Sequence, residues 1–304
     1  MILACGEALI DMLPRTSVEG EAAFAPHVGG AVFNTGVALG RLGVPTGFVC
    51  GLSTDMFGDQ LLAALQEASV DLTHAPRLDL PTTLAFVQLT DGQARYAFFD
   101  ENTALRGLRH DHVADASADA LIFGCISLIG DGCGEVYETL AAREAPHSVI
   151  MLDPNIRAGF IKDEAPYRAR LDRMIALSDI VKVSDEDLHW LAGDGDQASL
   201  AAEMLSRGPH LVCVTEGAKG VTGYHAGGAT FVAAAKADVV DTVGAGDTFN
   251  AGLLAQLHGA GLLTKEAIAS LNETQVAAAL SLGAKCAGIV VSRAGANAPW
   301  AHEL

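Results

Sequence analysis

Short apolar runs alternate with helix-like periodicity along almost the whole chain. The runs at 2–5, 46–51, 121–126, 149–153, 180–183 and 211–215 are mostly continuous rather than alternating in polarity. Such runs suit strands covered on both faces, as in a parallel sheet. Between them, apolar residues recur at helical spacing, which predicts helices over 34–42, 60–67, 134–143, 168–177, 200–207, 248–258 and 275–287. Strand–helix alternation implies an α/β fold: an open, doubly wound, mostly parallel central sheet flanked by helices.

Two segments break this rhythm. Residues 12–30 contain Pro14, Gly20, Pro26, Gly29 and Gly30. Residues 82–100 place an Asp91-Gly92 turn signal between two apolar stretches, which predicts a hairpin. Paired together, the two segments would form a small β-sheet standing off the main one, a lid over a cleft. An ordinary surface excursion is the plainer alternative. No linker rich in Pro, Gly or Ser divides the chain, so its 304 residues are expected to form one domain.

Composition narrows the function. The chain carries 19 Lys and Arg against 37 Asp and Glu, a net charge of −18. No basic face is visible, which argues against nucleic acid and anionic membranes as partners. A phosphate ligand would have to rely on backbone amides, a helix N-terminus, a few placed basic groups and a metal ion. The six cysteines are scattered, without a C-x-x-C pair, and read as buried free thiols of a reducing compartment. The first residues have no basic start and meet Glu7 at once, unlike a signal peptide; with no long apolar run, a cytoplasmic protein is expected.

Candidate chemistry clusters where strands end. In "DTVGAGDTFNAG", residues 241–252, Gly244, Ala245 and Gly246 precede Asp247 and a helical run. Bare amides and a helix N-terminus form an anion hole for a transferring phosphoryl group, with Asp247 as the base that accepts a hydroxyl proton. A helix cap on a tight turn is the plainer reading, compatible with the first. Asp11 follows the first strand, and Gly29 and Gly30 lead to Asn34 at a helix start. A carboxylate and an amide suit a polyol, while a loop acid and an N-cap are the alternatives. Arg157, after Asp153-Pro154, has the reach for a bidentate phosphate contact, or is simply solvated. Ser184 and Asp187 have capping-box spacing after another strand. Thr215, Gly217 and Gly220 follow a further one. In a parallel sheet these strand ends share one edge, where open α/β proteins bind ligands. The P-loop and dinucleotide-binding glycine patterns are both missing, the latter because position 249 is Phe.

These stretches, in this order, resemble the ribokinase-like family of sugar kinases. "GG" with Asn34 four residues on, "GLSTDMFGDQLLAALQEASVD", "DTVGAGDTF" and "SRAGANAPW" are similar to its motifs and span nearly the whole chain. Within the family, "CGEALIDMLP", "DPNIR" and "KVSDEDL" look most like bacterial fructokinases. The resemblance implies transfer of the ATP γ-phosphate to a sugar hydroxymethyl group, with fructose the first expectation. Other sugars, 2-keto-3-deoxygluconate and ribose among them, and a non-catalytic sugar or nucleotide sensor are the alternatives. It implies Asp247 as base and the amides of Gly244, Ala245 and Gly246 as anion hole. It further implies Asp11, Gly29, Gly30 and Asn34 around the sugar, with the lid's Arg95, Tyr96, Phe98 and Phe99 as candidates for setting preference. Arg157 falls near the transferred phosphate. Lys182, Ser184 and Asp187 fall near the nucleotide phosphates and Mg²⁺, and Thr215, Gly217 and Gly220 at the nucleotide turn. Asp241 and Val243 fall where a monovalent cation such as K⁺ is held, and the lid implies a homodimer. One departure concerns the metal: the family's Asn-x-x-Glu here reads Ser184-x-x-Asp187, with an acid one methylene shorter.

Overall fold

The computed structural model describes the backbone of residues 1–90 and 93–304, and the side chains of all of these except 88–90 and 93–96. The Asp91-Gly92 turn and the side chains of Arg95 and Tyr96 therefore lie outside the described residues.

Eight strands form the main sheet, in the order Gly228–Ala233, Gly220–His225, Leu211–Thr215, Ile180–Ser184, Val149–Asp153, Ala120–Gly124, Ile2–Cys5 and Thr46–Val49. The last six of these run parallel, and the first two add an antiparallel hairpin at one edge. The parallel strands are buried on both faces, as their unbroken apolar runs require. Neighbouring residues of Gly220–His225 show how. A side chain at Gly223 would strike Val276 and Leu280 of helix Glu273–Val290, whereas the Tyr224 hydroxyl is met by Gln197 of helix Gln197–Ser206. Side chains alternate across a strand, so these helices cover opposite faces. Each large apolar side chain sealed between such layers contributes roughly 1.5–3 kcal/mol.

A separate four-stranded sheet has the order Ala22–Gly29, Leu9–Thr16, Leu84–Thr90, Gln93–Phe99. The two irregular segments do pair, with Ile10 opposite Leu84 and Met12 opposite Phe86. The small sheet begins at Leu9, earlier than expected, because the chain leaves strand Ile2–Cys5 through Gly6 and re-pairs at once. Asp11 thus lies within a strand and is not a loop acid.

Two helix starts also differ from expectation. Helix Ala31–Arg41 opens at Ala31 with Gly30 as its cap, so Asn34 lies inside the first turn. The carboxylate of Glu7, from the end of the first strand, accepts from the Val32 amide in place of a side-chain cap. Helix Ala245–Gly259 opens at Ala245, not Thr248, because Gly244 adopts φ 77°, a left-handed turn that glycine enters without strain. Asp247 is therefore the third helical residue and not the N-cap. Strand Ala120–Gly124 ends before 126 and passes into the 3₁₀ turn Cys125–Leu128.

Candidate active site

The N-terminal turns of two helices meet at the site. Asn34 Nδ2 donates to Asp247 Oδ2 at 2.8 Å, and Thr35 Oγ1 donates to the Asp247 carbonyl at 3.1 Å. Residues 213 positions apart are thereby fixed against each other. The Asn34 amide is oriented by that bond, since only its NH₂ can serve a carboxylate; its carbonyl is turned to other donors. Asp247 is buried, and burial pushes its carboxyl up to about 7. The Asp153 charge adds to the rise, while the Asn34 bond, Lys182 and Arg157 oppose it. A carboxyl balanced near neutrality could both take a proton and release it.

The turn ahead of Asp247 has the donors an anion needs. The N–H groups of Gly244, Gly246 and Asp247 find no acceptor among the described residues, as expected for a helix start. The Ala245 amide differs: it donates to the Thr242 carbonyl at 3.3 Å. Its share in an anion hole requires that long bond to be given up.

Asp11 projects from the small sheet against Gly29. A Cβ on Gly29 would sit 2.3 Å from Asp11 Oδ2, so only glycine admits the carboxylate there. Burial raises Asp11 to about 6, and Arg157 works in the opposite direction. Arg157 is exposed at the cleft. Withdrawal from bulk water works against its charge, but Cys125, Asp247, Asp187 and Asp153 outweigh that and raise its pKa. Arg157 thus feels both Asp11 and Asp247. Beside it, a cleft of about 1690 Å³ opens between the lid and the main body, lined by Phe86, Phe98, Arg157, Phe160 and Tyr167 among others. Phe98 of the lid packs edge-on against Phe160 of the main body.

Further along the sheet edge, Ser184 and Thr215 end adjacent parallel strands in register. The Ser184–Asp187 capping box forms: Ser184 Oγ accepts from the Asp187 amide at 3.0 Å. Asp187 Oδ1 in turn accepts from the Ile156 amide at 3.0 Å, which ties this helix start to the turn carrying Arg157. Burial and Asp153 raise the Asp187 carboxyl pKa, against its bonds to Ser184 and the Lys182 charge. Gly217 and Gly220 adopt positive φ in the turn into the edge hairpin. Asp241 accepts from the Val243 amide at 3.0 Å and from the Gly295 amide at 3.0 Å, tying the loop before the anion-hole turn to the closing "SRAGANAPW" segment. Lys182 is turned inward: its side chain is buried and pairs with Asp153 at 3.0 Å.

Sequence reasoning missed four residues here. Glu7 is fully buried between Val32 and Ser127, and burial pushes it up to about 7. Asp153 and Asn250 form a buried bond at 2.7 Å beneath the site. Asp55 caps helix Met56–Glu67 and also accepts from the Thr82 amide and hydroxyl at 2.8 and 2.6 Å, anchoring one leg of the lid. An acid ending an apolar strand, as Asp153 does, was the available signal; Glu7 had none beyond lying after the first strand.

All six cysteines are buried free thiols, as expected. Among the described residues, no cluster of three or more His, Cys, Asp or Glu could hold a metal ion, and no helix is long and apolar enough to cross a membrane.

A buried carboxylate at a helix start whose leading amides are free, held by an amide side chain from a second helix start, is an arrangement that could receive a hydroxyl and a phosphoryl group. Residues 1–303 match the pfkB family of carbohydrate kinases, and the chain belongs to that family. It is 54% identical over 275 residues to a fructokinase of Rhizobium leguminosarum bv. trifolii, an alignment covering 90% of this chain and 84% of that protein. The structure of a Xylella fastidiosa fructokinase with bound ATP superposes with a TM-score of 0.89 at 31% identity, covering 97% of this chain and 93% of that one. An aminoimidazole riboside kinase from Salmonella enterica, complexed with aminoimidazole riboside and an ATP analogue, gives a TM-score of 0.83 at 25% identity, covering 97% and 94%.

Proposed function

We propose that this carbohydrate kinase is an ATP-dependent fructokinase, transferring the γ-phosphate to the 6-hydroxymethyl group of D-fructose. The observation that carries the reading is the Asn34–Asp247 bond, which joins a polyol-binding amide to a buried carboxylate at an amide-rich helix start. The 54% identity to a fructokinase supports fructose as acceptor.

In this reading Asp11 and the Asn34 carbonyl hold sugar hydroxyls, while Phe98 and the lid close over the ring and exclude water. Arg157 leaves Asp11 partly neutralised until the phosphoryl group arrives and takes its charge. The amides of Gly244, Gly246 and Asp247 stabilise the transferring group, and Asp247 accepts the hydroxyl proton late in transfer. ATP lies along the edge formed by Ser184–Asp187 and Thr215–Gly220. Mg²⁺ supplies charge neutralisation on the phosphates when bound. The donor set fits an ion held mainly by phosphate and water: both oxygens of Asp187 already accept backbone amides, so it would meet the ion through water. Asp241 and Val243 shape the loop that would hold a monovalent cation.

Purified protein with ATP and a panel of fructose, glucose, ribose and 2-keto-3-deoxygluconate, read as ADP release, tests the assignment. Fructose should give the highest kcat/KM. A higher value for another sugar, or tight binding without ADP release, would replace the reading.

The proposal extends to a homodimer formed through the lid, in a reducing cytoplasm that suits six free thiols. Phe24 and Phe99, 47% and 60% exposed, pack edge-on against Phe86 and offer an apolar surface. A monomer mass by light scattering would remove that extension.

A further inference from the structure

The helix that carries Asp247 carries Asn250 one turn later, on the same side. Asn250 Nδ2 donates to Asp153 Oδ2 at 2.7 Å, and Lys182 Nζ donates to the same oxygen at 3.0 Å. All three side chains are buried. The Lys182 ammonium also lies directly against the anion-hole turn: a Cβ on Gly246 would come within 2.9 Å of it. Among the described residues it has no acceptor other than Asp153. A fixed positive charge therefore stands one residue from the base, under the amides that would receive a phosphoryl group.

We propose that Lys182 is a positioning residue: held against Gly246 by Asp153, which Asn250 fixes in turn, its ammonium holds the Asp247 carboxylate in its charged form and backs the anion hole. The inference rests on the reading of Asp247 as base. Burying an ion pair so deeply costs several kcal/mol in desolvation, and an apolar pair would pack as well. Retention of the pair beneath a reacting centre is explained if its charge acts there. Arg157 also faces Asp247, but from the open cleft, where substrate displaces and screens it. Glu7, Asp153 and the Asn34 amide complete the charged and polar groups acting on Asp247. Of the two cations among them, Lys182 alone is fixed inside the fold. Asp153 works on Asp247 with the opposite sign, so the two partners of one ion pair pull the base in opposite directions.

That opposition gives the test: the acid limb of kcat against pH in Lys182→Met, Asp153→Asn and the double variant, each checked for folding by circular dichroism. Removing the cation should move the limb up by about one pH unit or more. Removing the anion should move it down. The double variant should return toward the parent value. Should Lys182→Met fail to fold, the double variant, which leaves no unpaired buried charge, and Asp153→Asn still decide. A downward shift in Asp153→Asn that Lys182→Met reverses in the double supports the inference. Shifts of both single variants in the same direction, or folded variants with the parent limb, overturn it. Asp247→Asn separates the two readings. If that variant turns over normally, the base assignment itself fails; if it is inactive while the limbs do not move oppositely, only Lys182 loses its role.

Discussion

The floor of the candidate site, where the main sheet's strands end, and the small sheet are built on opposite rules. The floor consists of strand ends and helix starts sealed into the core, where Asp247, Lys182, Asp153 and Asn250 are each less than a tenth exposed. The small sheet is half-open: half the residues of strand Ala22–Gly29 are exposed, and Phe24 and Phe99 meet solvent. Buried groups keep one geometry and strongly perturbed proton affinities; a thin sheet anchored at its legs can close and open. Under the proposed function the difference teaches a division of labour, with reacting groups in the sealed layer and recognition in the half-open one.

The largest break in that comparison comes from the floor. Asp247→Ala should lower kcat by at least about 10²-fold, the lower end of general-base contributions, with little change in sugar KM. Near-normal turnover in a folded variant would place the reacting group elsewhere. Second, Asp11→Ala at the root of the small sheet should act mainly on sugar KM, raising it about 10-fold or more, because it removes a charged hydrogen-bond acceptor. A loss confined to kcat would move Asp11 from recognition to the chemistry. Third, Gly29→Ala, which presses a methyl group into the Asp11 carboxylate, should raise KM severalfold in the same sense. An unchanged KM would mean the carboxylate can shift without cost.

The smallest effect concerns stability. Asp247 and Glu7 have folded-state values of about 7, above the ordinary range of about 4. Between those values the folded chain binds protons that the unfolded chain has released. Their contribution is therefore full below about pH 4 and lost as pH rises through about 7. Asp247→Asn should raise the melting temperature at pH 8 by a few degrees and scarcely change it at or below about pH 4, the signature of about 1–2 kcal/mol of buried charge removed. An equal change at both pH values would point to packing instead. Kinetically, the same titration predicts activity falling as pH drops below about 7.

Much of this division could be read from the chain. The continuous runs marked the strands of the floor, and their ends marked the edge, because parallel strands buried on both faces leave no polar positions inside. The capping box at Ser184 was visible because capping is local in sequence. The Asn34–Asp247 bond was not, since pairing between distant turns depends on how two helices pack. The Lys182–Asp153 pair was hidden for the same reason: it joins two neighbouring strands that lie far apart in sequence. Glycine turns blurred the helix starts, since Gly30 and Gly244 cap without a side-chain signature. Asp11 looked like a loop acid because nothing local announces a strand that re-pairs after Gly6.

The bond across 213 positions also sets a schedule for the protein's birth. In the proposed function, a ribosome-bound chain that has released its first two hundred residues owns the sugar amide but no base and no anion hole. It can hold no productive substrate pair, so ATP is not spent on a half-made catalyst. Assembly of this pair of helix starts therefore waits until helix Ala245–Gly259 has emerged and docked on helix Ala31–Arg41.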